Sequence, residues 1–104
     1  MTAAPSARPD AARLRAELER ASEQVAALEA EHEALLTDPG VIQEDRDAAA
    51  ALLQHARHQL DTARAAVARL EDGSYGRCDR CGGEIGAERL AALVGVTTCV
   101  KCAG

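Results

Sequence analysis

The sequence has no phenylalanine and no tryptophan, and Tyr75 is the one aromatic residue among 104. A chain this short and this poor in large side chains is at most one structural unit and cannot fill an ordinary globular core. It also lacks an apolar run long enough to cross a bilayer, so no membrane association is expected. Residues 1–9 show no charged segment followed by a hydrophobic one, which argues against a secretory leader and for a cytoplasmic protein. Basic residues are in deficit: the formal net charge is −5. Phosphate binding rests on Lys and Arg, so direct DNA binding is not expected. What the chain does have is alanine and charge, a composition suited to long helices that meet along a narrow seam.

Residues 1–9 contain Pro5, Pro9 and Ser6 without periodicity and read as a flexible tail. From Asp10, a plausible cap, small or apolar residues recur at Ala11, Leu14, Leu18, Ala21, Val25, Leu28 and Leu35, with His32 the one interruption. Spacings that alternate three and four make this a heptad seam. Thr37-Asp38-Pro39-Gly40 then breaks the pattern, with Asp38 as N-cap and Pro39 in the first turn of a second helix. That helix has its own seam at Ile42, Ala49, Leu53, Ala56, Leu60, Ala63, Val67 and Leu70, with Arg46 in one slot. If the chain folds back at 37–40, facing residue numbers sum to about 77 or 78, pairing Leu35 with Ile42, Val25 with Leu53 and Leu18 with Leu60. Gly73 is placed to end the second helix in a left-handed conformation.

Cys78-Asp79-Arg80-Cys81 and Cys99-Val100-Lys101-Cys102 are two Cys-x-x-Cys pairs with 17 residues between them. In a reducing compartment this spacing points to one structural zinc ion held by Cys78, Cys81, Cys99 and Cys102 rather than to disulfides. Two intervening residues let a tight turn aim both sulfurs at one ion while backbone amides offset their charge, and Gly82 and Gly83 give that turn its freedom. A lone pair could be a redox dithiol, but two in register suit tetrahedral coordination better. Four cysteines close the shell, which leaves no open position for hydrolytic chemistry. The predicted fold is therefore all-α: residues 10–73 as an antiparallel coiled-coil hairpin with its tip near 37–40, followed by a small four-cysteine zinc finger over 74–104. Ile85, Leu90, Leu93, Val94 and Val96 are expected to pack the finger and the base of the rod.

The run from Leu70 through Glu71-Asp72-Gly73-Ser74-Tyr75-Gly76-Arg77 and Cys78-Asp79-Arg80-Cys81-Gly82-Gly83-Glu84-Ile85, with Arg89-Leu90 and Cys99-x-x-Cys102, resembles the DksA/TraR zinc-finger family of bacterial transcription regulators. The resemblance implies a coiled-coil hairpin on a four-cysteine zinc module, a monomer that binds RNA polymerase rather than DNA, and an acidic tip that enters the secondary channel. Some members act together with the alarmone ppGpp. The tip departs from the family pattern: where the family has Asp-x-x-Asp-x-Ala, Asp38-Pro39-Gly40-Val41-Ile42-Gln43 keeps only the first acid. A shifted match, Glu44-x-x-Asp47-x-Ala49, lies in the second helix.

Residues 29–47 hold seven acidic side chains against Arg46 alone, a net charge of about −6 in the half of the hairpin near the turn. Such an end could be steered toward a basic channel or a bound metal ion, which makes Asp38, Glu44, Asp45 and Asp47 the candidate partner-binding residues. The plainer alternative is that these acids solvate helix faces and favour the second helix's N-terminus. His32, near Arg46, fits a polar layer that fixes register; His55 and His58 fit an exposed helix surface. No phosphate loop, nucleophile elbow or catalytic carboxylate pair is present, so an enzyme is not expected. The competing function is a zinc-stabilised interaction adaptor, with Leu36 and Leu52, which lie off the seam, as its contact residues.

Overall fold

A computed structural model describes the backbone of residues 4–93 and 95–103, and side chains from residue 11 onward. Among the described residues four helices follow one another: α1 (Ala4–Thr37), α2 (Gln43–Asp72), α3 (Ala87–Ala92) and α4 (Val100–Ala103). The first two form an antiparallel hairpin, and the short α3 and α4 belong to the four-cysteine finger at its base. Among the described residues there is no strand, only an isolated bridge between Arg77 and Glu84. The molecule measures 61 × 29 × 20 Å, a rod with a knob at one end.

The heptad seam is the core of the rod. Val25, Leu53, Ala56 and Leu60 are buried together, with Leu18, Ala21 and Leu28 packed against them. Nearer the base, Leu14, Ala66 and Val67 form a second buried group that Leu18, Leu70 and Tyr75 complete. Small residues on α2 let the helices approach closely, which is how a chain without large aromatics still excludes water along one line.

Three expectations are corrected at the ends of the helices. α1 already includes residues 4–9, read above as a tail; Pro5 falls in the first turn, where its missing amide costs no helical bond, and alanines favour continuation. Residues 1–3 of that tail lie outside the described residues. At the tip α2 starts at Gln43, not at Pro39, and its N-cap is Ile42 in extended backbone. Asp38 instead accepts the Gly40 N–H at 2.8 Å, closing a local turn in place of a cap. Ile42, expected to face Leu35 in the seam, is consequently 58% exposed.

The rod's far boundary follows the sequence reading. Gly73 has φ 85°, and the Ser74 and Tyr75 amides donate to the Arg69 carbonyl at 2.9 and 3.0 Å, which satisfies the end of α2. No described helix is long and apolar enough to cross a membrane.

Candidate metal centre and acidic tip

The finger is built by two loops that bring the cysteine pairs face to face. In the first, Gly82, at φ 74°, donates its N–H to the Cys78 carbonyl at 2.9 Å while the Cys78 N–H reaches the Gly83 carbonyl at 2.8 Å. That turn aims Arg80 N–H at Cys78 Sγ and Gly83 N–H at Cys81 Sγ, each at 3.4 Å. In the second, Cys99 precedes the single-turn α4, and its carbonyl takes the N–H groups of Cys102 and Ala103. Asp79 N–H donates to the Thr97 carbonyl at 2.8 Å and ties the two loops together.

All four Sγ atoms lie within 4.8 Å of one another, and no other group of metal-ligating side chains converges in this way among the described residues. Cys81 Sγ and Cys99 Sγ are 3.7 Å apart. A tetrahedron with Zn–S bonds of about 2.3 Å has edges of roughly 3.8 Å, so the donor set fits zinc in both chemistry and spacing. Cys78 and Cys99 are buried, Cys102 is half-buried and Cys81 is exposed. Cys78, Ile85, Leu90 and Cys99 form the finger's small core, with Tyr75, Val96 and Cys102 against it. Leu93, expected in that core, is largely exposed instead, because α3 is a six-residue helix that ends at Ala92 and leaves it on the outer side. Val94 lies outside the described residues.

The sulfurs' acidities point the same way. Hydrogen bonding from the Cys81 backbone, assisted by that of Cys99, brings the Cys78 thiol down to about 6. Cys99 is likewise lowered, chiefly by the Cys102 backbone. Side-chain hydrogen bonding with Cys99, and then with Cys78, pushes Cys102 up to about 12. A zinc ion held by Cys78, Cys81, Cys99 and Cys102 would supply compensating positive charge, while the residues contribute the amide donors and apolar shielding around the site.

At the far end of the rod Asp38, Glu44, Asp45 and Asp47 are all exposed. Glu44 and Asp45 occupy the first turn of α2, where its dipole favours negative charge, and Asp47 accepts a hydrogen bond from Gln43 at 2.8 Å. Their carboxylates do not gather into a metal-holding group. His32 is half-buried, and Arg46, instead of forming a layer with it, reaches the end of α1. His55 and His58 are exposed.

Two residues tie the junction together: Tyr75, which the sequence places between rod and finger, and Arg69, which it does not single out. Arg69 donates to the Asp79 carboxylate at 2.6 Å and to the carbonyls of Ser74 and Arg77 at 3.1 and 2.7 Å. Tyr75 packs against both the rod and the finger cores and accepts a hydrogen bond from Arg13 at 3.2 Å. Its being the one aromatic was the available signal; Arg69 looks like any other helix arginine.

Comparison with known proteins agrees with this architecture. Residues 73–104 match the prokaryotic dksA/traR C4-type zinc finger family. A protein of Aquifex aeolicus with no assigned function is 47% identical over 38 residues, which span 36% of this chain and 26% of that protein's length. The transcription factor DksA2 from Pseudomonas aeruginosa superposes with a TM-score of 0.78 at 24% identity, covering 88% of this chain and 74% of DksA2. The C-terminal segment thus resembles the four-cysteine finger of the DksA/TraR family over residues 73–104, and the chain spans about a quarter of the length of the Aquifex protein it matches. Hairpin and finger together have the fold of a DksA protein, as the resemblance in the sequence implied.

Proposed function

We propose that this chain is a bacterial, cytoplasmic transcription regulator that binds RNA polymerase directly, as a monomer, and inserts its acidic tip into the secondary channel. It does not read DNA sequence, and its single zinc ion is structural rather than catalytic. The observation that carries this reading is the separation of parts along a 61 Å rod: a family-type finger at one end and a narrow, exposed, acidic turn at the other. A rod two helices wide can enter a channel closed to a globular domain, and carboxylates at its end favour approach to cations or basic walls. ppGpp, where it acts, would act jointly with polymerase.

The test is retention of core polymerase subunits from a bacterial lysate, followed by in vitro transcription with three proteins: wild type, Asp38→Asn, and Glu44→Gln/Asp47→Asn. Asp38→Asn keeps the side-chain oxygen that accepts the Gly40 amide, so folding should persist while the charge is lost. A changed transcriptional effect in either variant, with polymerase still bound, supports the tip. Equal activity in all three rejects it.

A second reading, a zinc-stabilised coiled-coil adaptor, is favoured by the exposure of Leu36 (55%) and Leu52 (59%) outside the intramolecular seam. Failure to retain polymerase, together with loss of another helical partner on Leu52→Glu substitution, would support it instead.

A further inference from the structure

The finger is joined to the rod by very little apolar contact. Tyr75 bridges the two cores, and Gly95 lies so close to α2 that a Cβ there would come within 2.6 Å of Thr62 Cγ2. Between these two contacts a cavity of about 270 Å³ remains, lined by Thr62, Ala65, Ala66 and Arg69 of α2 on one side and Val96 and Thr97 on the other. Across this open cleft finger and rod do not touch directly, so the polar contacts of the junction help to hold the finger on the rod.

The polar side of the junction converges on one residue. The Arg69 guanidinium sits at the end of α2 and holds three acceptors: the Ser74 carbonyl, the Arg77 carbonyl and the Asp79 carboxylate. These belong to the segment that leaves α2 and enters the first cysteine pair, with Asp79 between Cys78 and Cys81. The Asp79 amide in turn holds the Thr97 carbonyl, two residues before Cys99. One side chain on the rod therefore touches both cysteine loops, the first directly and the second through a single residue. Its planar fork can serve several fixed acceptors at once, which an ammonium cannot do in the same geometry.

We infer that Arg69 is the positioning residue through which metal binding by the finger and the angle of the finger on the rod are coupled. Closing the two loops on the metal gathers the acceptors that Arg69 needs, and Arg69, once engaged, holds those loops in the arrangement that the four sulfurs need. By linkage, each ordering strengthens the other. The inference rests on zinc binding by the four cysteines and is independent of polymerase.

The experiment uses the full chain loaded with zinc, as wild type, Arg69→Lys and Asp79→Asn. Arg69→Lys keeps the charge without the fork. Asp79→Asn alters an exposed loop residue and so remains informative should the α2 variant fold poorly. Residual dipolar couplings report whether rod and finger share one alignment frame, and competition with a chromogenic chelator gives zinc affinity. Wild type is expected to take one zinc and to show a single frame. Both variants are expected to take one zinc, to require separate frames for residues 14–70 and 78–102, and to bind zinc about fivefold or more weakly, the lower range for coupled sites. A single frame with wild-type affinity in the variants overturns the inference, as does a change in only one of the two quantities. If the wild type takes no zinc, metal binding itself has failed, which the wild-type titration reveals separately.

Discussion

Arg46, in the first turns of α2, donates from Nε to the Leu35 carbonyl of α1 at 3.1 Å and from its terminal nitrogen to the Asp38 carbonyl at 3.0 Å. The last turn of α1 contains no basic residue of its own. Its unpaired carbonyls and the negative end of its dipole are thus served from the opposite helix. Arg46 consequently ties the two ends of the tip together where apolar pairing, with Ile42 exposed, does not. Replacing it with Ala should lower stability by about 1–3 kcal/mol, the range for losing charge-assisted hydrogen bonds that are partly screened by water. Faster amide exchange confined to residues 35–46 would place that loss at the tip; a uniform change along the rod would refute the local role.

Truncation along the seam should separate core from surface. Leu60 is buried among Val25, Leu53 and Ala56, so Leu60→Ala should cost about 2–4 kcal/mol. Leu52, about two turns earlier on α2 but exposed, should cost less than about 0.5 kcal/mol on the same change. Thermal or urea unfolding of the two variants gives the ranking directly, and equal losses would mean the seam is misassigned.

Zinc removal should act on one end only. The finger's core is four buried residues, two of them the ligands Cys78 and Cys99, so most of its folding free energy is metal-binding free energy. The rod keeps its own seam. Chelation should therefore abolish amide protection across residues 78–102 while leaving most of the helical circular dichroism. Acid should do the same as thiolates are protonated and release the metal. Retained protection in the finger after chelation would show that it folds without metal.

Asp72 closes the other end of α2. It accepts both the hydroxyl and the amide of Ser74, at 2.5 and 2.9 Å, and these bonds hold its carboxyl below the ordinary 3.8. A lowered native pKa means that this contribution is present above the ordinary value and is lost as pH falls through the lowered one. Ser74→Ala removes the hydroxyl, the larger of the two influences, so the Asp72 carboxyl should titrate closer to 3.8. A carbon-detected NMR titration of Asp72 would measure this; an unchanged midpoint would mean the hydroxyl bond is not populated in solution.

The sequence by itself determined the hairpin, its seam and the convergence of the four cysteines, because each is written in local spacing. Residues three and four apart share a helix face, and residues three apart in a Cys-x-x-Cys turn share a metal. Leu14, Val25, Leu53, Ala56 and Leu60 are buried as that periodicity required, and the four sulfurs converge as the two pairs implied. The tertiary structure decided how the ends are tied. Asp38 carries every feature of an N-cap yet closes its own turn on the Gly40 amide, while Arg46 donates to its carbonyl and α2 begins only at Gln43. Arg46 and Arg69 look in the sequence like solvated helix arginines, and their work lies in acceptors 5 to 11 residues away, across a turn. A long flexible side chain has many reachable partners. Only the folded backbone, by placing unpaired carbonyls within its radius and shielding them from water, selects among them.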